Sequence, residues 1–102
     1  MPNSIEEAIA ALAAGEMIVL TDDEDRENEG DLICAGAFAT PDNVNFMVTH
    51  GRGLLCVPVA PEVAARLELA LPPGKHDPRG TAFSQSLDAV SGTTTGVSAH
   101  DR

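Results

Sequence analysis

Residues 22 to 31 read Asp-Asp-Glu-Asp-Arg-Glu-Asn-Glu-Gly-Asp. Seven of these ten side chains are acids and one, Arg26, is a cation, so the stretch carries -6 of the chain's net -10. Two carboxylates about 5 Å apart repel by roughly 3 kcal/mol at an effective dielectric of ~20. Seven of them on one fold need relief, from water, a bound cation or a proton held at raised pKa. The flanks argue against a solvated tail. Met17-Ile18-Val19-Leu20 leads in and Leu32-Ile33-Cys34-Ala35 leads out. An acidic loop pinned between two apolar strands is a placed loop, and the rest of the chain must hold it.

At 102 residues the chain is one domain at most. Apolar residues make up 43% and charged residues 22%, a globular balance that supports a core. The charge of -10 opposes binding to a phosphate backbone, and only three aromatic residues, all Phe, oppose base stacking, so no nucleic-acid partner is expected. No apolar run approaches membrane-spanning length, and Met1-Pro2-Asn3-Ser4 lacks the basic start of a signal peptide. The expected location is cytoplasmic. Cys34 and Cys56 are too far apart for a metal knuckle or redox pair and lie in apolar runs, so they read as two buried, reduced thiols.

In chain order, Ser4 and Glu7 fit a capping box, after which Ile5, Ala8, Ile9 and Leu12 recur at helical spacing until Gly15. Residues 17–21 read as a buried strand and 32–39 as a second, with Gly36 marking a bulge or close approach. Thr40-Pro41-Asp42 starts a helix with Val44, Met47 and Val48 on its apolar stripe, stopped by Gly51-Arg52-Gly53. Residues 54–59 read as an edge strand, and Pro61 opens a helix carrying Val63 and Leu67 that Pro72-Pro73-Gly74 ends. Residues 75–80 read as an exposed loop and 82–88, which alternate, as a half-buried strand. Ser98 looks like an N-cap with Asp101 at the third helical position, and the chain stops one turn later. The expectation is that these residues are the front part of a longer sequence.

If the chain is extended through residues 26–31, Glu27, Glu29 and Asp31 point to one side and Arg26, Asn28 and Gly30 to the other. Three carboxylates on one face suit Mg²⁺, or general acid/base work in which crowding pushes pKa values apart. A solvated acidic turn is the plain alternative. A calcium loop fails because Asn28 stands where that loop needs glycine. His50, His76 and His100 share no helical face, which opposes a histidine zinc site, and His50 sits at a helix end. Lys75, His76 and Arg79 could meet a phosphate, although scattered charge on an exposed loop is commoner. Thr93-Thr94-Thr95-Gly96 offers hydroxyls on a flexible backbone, or simply a strand edge.

From Asp23 to Leu32 the sequence closely resembles the 3,4-dihydroxy-2-butanone 4-phosphate synthase family. The likeness continues through Phe46-Met47, Gly53-Leu54-Leu55-Cys56-Val57-Pro58, Thr81-Ala82-Phe83-Ser84 and Asp88-Ala89, and ends in Thr94 to Arg102. It covers essentially the whole chain, residues 1–102, as the N-terminal part of one such domain, free-standing or from a fusion with GTP cyclohydrolase II. The resemblance implies an α/β fold, a mixed sheet with flanking helices that is incomplete at its C-terminal end, and a homodimer. It implies a lyase of riboflavin biosynthesis that converts the sugar phosphate D-ribulose 5-phosphate to L-3,4-dihydroxy-2-butanone 4-phosphate and formate with Mg²⁺ or Mn²⁺. That chemistry begins with proton abstraction beside a carbonyl and needs carboxylate bases with a metal to stabilise the enediolate. By position, Glu27 would ligate the metal and, with Arg26, contact substrate. Glu29 and Asp31 would be the acid/base pair or substrate clamps, Asp31 also binding substrate, and Cys56 and Thr95 would lie near the sugar. Residues 75–80 depart from the Asn-containing stretch usual there. The family's phosphate-binding segment, its histidine metal ligand and a late catalytic glutamate are expected beyond Arg102. The alternative is a non-catalytic remnant that binds a divalent metal or pairs with a partner chain, and the isolated chain is expected to have little activity.

Overall fold

A computed structural model describes residues 2–71, 78 and 80–102. Its first helix, α1 (Ile5–Ala13), begins in the expected capping box: Ser4 Oγ accepts from the Glu7 N–H at 3.2 Å, and the Glu7 carboxylate accepts from the Ser4 N–H at 2.8 Å. The bond from the Ser4 N–H above all, then that from Asn3 Nδ2, holds the Glu7 carboxyl below its ordinary value. The helix ends where Gly15 turns left-handed (φ +86°), with the Glu16 N–H reaching back to the Ala11 carbonyl at 2.9 Å. Gly15 is required twice over, because a Cβ there would stand 3.1 Å from the Phe38 ring. Ala8, Ala11 and Leu12 are half-buried, whereas Ile5 and Ile9 of the expected apolar stripe are exposed.

The sheet among the described residues is one antiparallel pair, β1 (Ile18–Thr21) with β2 (Gly30–Ile33). Its register sets Ile18 opposite Ile33, Val19 opposite Leu32, Leu20 opposite Asp31 and Thr21 opposite Gly30. One further bond, Asp22 N–H to the Glu29 carbonyl at 3.1 Å, carries the ladder to the neck of the loop. The acidic stretch is therefore the tip of a β-hairpin. β1 is not the buried strand its composition suggests, since Val19 and Leu20 are exposed. β2 ends sooner than expected: after Cys34-Ala35 the chain winds into a short 3₁₀ turn, Gly36–Phe38, which carries Phe38 back to Gly15. Gly36 thus marks the end of the strand rather than a bulge within it.

Thr40 caps α2 (Pro41–Phe46) through its Oγ1, which accepts from the Asn43 N–H at 3.2 Å. Asn43 Nδ2 donates to the Phe38 carbonyl at 2.7 Å and ties the helix to the 3₁₀ turn. The helix then widens into a π-turn over Met47–Gly51, in which the His50 ring lies 4.4 Å from that of Phe46. It stops at Gly51 as expected, but Arg52 adopts the left-handed backbone (φ +60°). Val44 is the buried centre, 4% exposed, and the π-turn meets the hairpin where a Cβ on Gly51 would lie 3.3 Å from Leu32.

The second half of the chain is looser. α3 (Pro61–Arg66) closes at Leu67, with Glu68 left-handed and the Leu69 N–H on the Ala64 carbonyl at 2.9 Å, so it ends before the proline pair. The strands expected at 54–59 and 82–88 are absent among the described residues, which hold no ladder there. A strand is a pairing, and an apolar pattern without a paired neighbour stays irregular. Leu54, Val57 and Val90 are accordingly exposed. Cys56, expected buried, is exposed as well, and Cys34 is half-buried; both are free thiols. The readings of Pro72-Pro73-Gly74, Lys75, His76 and Arg79 lie outside the described residues. Among the described residues no helix is long and apolar enough to cross a membrane.

Candidate active site

The hairpin tip is organised by a residue absent from the expected site, Asp22. Its Oδ1 accepts from the Asp23 N–H at 2.6 Å, and its Oδ2 accepts from Arg26 Nη1 at 2.8 Å and from the Glu27 N–H at 3.0 Å. The Asp23 carbonyl in turn accepts from the Arg26 and Asn28 N–H groups at 3.0 and 3.2 Å. Asn28 takes a left-handed conformation (φ +52°), which asparagine tolerates better than most side chains. The chain is consequently not extended from 26 to 29. The strand-like alternation of Glu27, Glu29 and Asp31 fails at this turn and begins only at Gly30.

Arg26 Nη1 also stands 3.6 Å from Glu27 Oε2, so one nitrogen lies between two carboxylates. The hydrogen bond to Asp22, then the charges of Asp22, Glu27 and Asp31, raise the Arg26 pKa above its already high ordinary value. Partial desolvation pushes the Asp22 carboxyl upward, but the bonds from the Glu27 N–H, the Arg26 side chain and the Asp23 N–H prevail and hold it below its ordinary value. Asp22 is thus the fixed anion of the loop.

An open cleft of about 190 Å³ is lined by Leu20, Thr21, Asp22, Arg26 and Asp31. Leu20 and Asp31 line it together because they are cross-strand partners. Of the expected site residues, Arg26 and Asp31 line this cleft; Glu27 does not, although its N–H donates to the lining Asp22 and its carboxylate lies 3.6 Å from Arg26. Glu29 and Cys56 stand outside the lining, as does Thr95, which occupies a second turn near the end of the chain. That turn is also built on one aspartate: Asp101 Oδ2 accepts from the Thr94 N–H at 3.1 Å, the Thr94 Oγ1 at 2.8 Å and the Gly96 N–H at 3.0 Å. The expected cap is present too, the Asp101 N–H donating to Ser98 Oγ at 3.1 Å. No three carboxylate, imidazole or thiol groups converge to cage a metal ion among the described residues. The oxygen donors at the hairpin tip fit a hard cation that keeps most of its waters and takes one or two protein carboxylates.

A β-hairpin that crowds carboxylates around one arginine, held by an α-helix and a helical π-turn, defines an α/β protein with an acidic cleft. The family profile of 3,4-dihydroxy-2-butanone 4-phosphate synthase matches residues 6–102, and the chain belongs to that family. It is similar to the riboflavin biosynthesis protein RibBA of Bacillus mycoides (strain KBAB4), 52% identical over 104 residues covering 100% of this chain and 26% of that protein. RibBA of Aquifex aeolicus (strain VF5) is 48% identical over 98% of this chain and 25% of its own length. Among solved structures, a 3,4-dihydroxy-2-butanone 4-phosphate synthase in complex with two magnesium ions superimposes with a TM-score of 0.92 at 45% identity, over 98% of this chain and 47% of that one. RibBX of A. baumannii, a two-domain synthase, gives 0.84 at 44% identity over 97% of this chain and 29% of that one. The chain thus spans about a quarter of the RibBA proteins and about half of the first synthase structure.

Proposed function

We propose that these residues are the N-terminal part of a single synthase domain, a lyase of riboflavin biosynthesis. It converts D-ribulose 5-phosphate to L-3,4-dihydroxy-2-butanone 4-phosphate and formate. The observation that carries this reading is the Asp22 carboxylate, which holds the Arg26 side chain in a cleft shared with Asp31 and accepts from the Glu27 N–H. Arg26 is the cation that binds and orients substrate oxygens. Glu27 serves as a ligand of Mg²⁺, or Mn²⁺, and as a substrate contact. A bound divalent cation supplies electrophilic stabilisation of the negative charge that develops after proton removal. The reaction needs a carboxylate that accepts a proton beside the carbonyl and returns it elsewhere. Asp31, which also binds substrate, and Glu29 are assigned that work, and Cys56 and Thr95 the sugar. The two magnesium ions of the synthase structure support divalent-metal use here. The exposed Leu54, Val57 and Val90 support a homodimer or pairing with further chain, and a cytoplasmic setting fits the free thiols.

The test is formate release from ribulose 5-phosphate with Mg²⁺ by a synthase carrying this segment, compared with its Glu27→Gln variant. Loss of turnover in the variant is expected, since the amide keeps the shape and removes the anion. Unchanged turnover overturns the assignment of Glu27.

A further inference from the structure

The turn around Thr95 is built more deliberately than an exposed loop requires. One oxygen of Asp101 accepts from the Thr94 N–H, the Thr94 hydroxyl and the Gly96 N–H, so it grips the backbone on both sides of Thr95 while leaving Thr95 exposed. Gly96 is left-handed (φ +81°), and a Cβ there would lie 2.5 Å from Asp88 Oδ1. The Asp88 carboxylate therefore stands where a side chain at position 96 would go. Thr93 Oγ1 donates to the Ala89 carbonyl at 3.1 Å and ties the entry of the turn to the same segment. Three donors on a single carboxylate oxygen make a charge-assisted clamp, stronger than three neutral bonds.

We propose that Asp101 is a positioning residue that fixes Thr95 for the sugar phosphate through Thr94 and Gly96. The proposal rests on the assignment of Thr95 as a substrate contact. Asp101 meets no reacting atom; it sets where the threonine hydroxyl stands. The hydrogen bonds it receives, led by that from the Thr94 hydroxyl, hold its carboxyl below the ordinary value, so the clamp is charged at neutral pH.

Two readouts test this. In a synthase carrying this segment, amide exchange at Thr94 and Gly96 reads the clamp itself. Asp101→Ala should speed it by about tenfold or more, and Asp101→Asn, which keeps an acceptor oxygen but loses the charge, by less. Unchanged exchange in Asp101→Ala overturns the proposal. In a synthase carrying this segment, kcat/KM for ribulose 5-phosphate is measured for Thr95→Ala, Asp101→Asn and the double variant. If Asp101 acts through Thr95, the double variant is no worse than Thr95→Ala alone, whereas independent losses that multiply overturn the proposal. A Thr95→Ala variant with normal kinetics removes the object of positioning and also overturns it. The Glu27→Gln comparison separately reports whether the wider reading of the hairpin survives.

Discussion

The hairpin tip and the Thr94–Asp101 turn solve one problem with the same device and opposite surroundings. In each, a single aspartate accepts three hydrogen bonds and folds the chain around itself. Asp22 does so among six other acids, and one of its three donors is the cation Arg26. Asp101 does so with backbone and hydroxyl dipoles alone. The hairpin tip therefore adds a charge–charge contact to its backbone bonds, whereas the turn is held by dipoles gathered on one charged carboxylate. The difference separates what each region can offer a ligand. The tip presents uncompensated negative charge and the turn presents placed hydroxyls.

The sharpest way to break this contrast is at Glu27. Glu27→Gln should reduce Mg²⁺-dependent formate release by more than about a hundredfold, the scale on which removing one group that stabilises developing charge acts. A loss of only a few-fold would make the tip no more essential than its surroundings. The next effect belongs to the turn. Gly96→Ala forces a side chain into left-handed backbone and against Asp88, which should cost about 1–3 kcal/mol at that site. Faster amide exchange at Gly96 with unchanged exchange at Glu27 would confirm that the regions are independent, whereas loosening of both would show that they are coupled.

Arg26→Lys keeps the charge and discards the planar fork that lies between Asp22 and Glu27. A fall of about tenfold in kcat/KM is expected, the worth of roughly one charge-assisted hydrogen bond. Wild-type kinetics would reduce the role of Arg26 to charge relief. The mildest probe is pH. Asp22 and Asp101 both sit below the ordinary aspartate value of 3.8 in the folded chain. Their contributions are then fully present above that value and are lost as pH falls through the lower folded values. The side-chain carboxyl signals of Asp22 and Asp101 should titrate with midpoints below that value. Midpoints above it would mean that neither carboxylate is held by its donors.

The local signals in the sequence translated directly into structure. Ser4 with Glu7, Gly15, and Thr40-Pro41-Asp42 each describe a cap that needs only nearby residues, and each is present. The placed acidic loop was legible for the same reason, because two apolar runs close together in sequence pair as a hairpin. The patterns at 54–59 and 82–88 carry strand character without a ladder, since pairing depends on a neighbour that the pattern does not name. The site was legible in part. The alternation of Glu27, Glu29 and Asp31 presumed an extended chain, and Asn28 breaks it with a conformation this residue type often adopts. In the sequence Asp22 is one acid among seven and nothing in composition singles it out. Its place at the first position of the turn was the available clue, because aspartate side chains there accept from N–H groups just ahead. The spacing from Ser98 marks Asp101 only as part of a helical start. Its bonds to Thr94 and Gly96 run backward over seven and five residues, beyond any capping pattern.

The register that sets Ile18 against Ile33 has a consequence for the order of events during synthesis. Every pairing in the hairpin joins residues that leave the ribosome within a short interval. Hairpins close on a timescale of about 1–10 μs, far faster than residues are added at ~5–20 per second. The acidic tip is thus drafted before the later segments emerge. A lone two-stranded hairpin is marginal in water, so the draft becomes permanent only when the segment from Phe38 to Gly51 arrives to pack against Gly15 and Leu32. Pulse-labelled refolding should show the amides of Ile18 to Thr21 gaining protection together with those of Val44 to Gly51. Protection that waits instead for the Thr94–Asp101 turn would reverse this order.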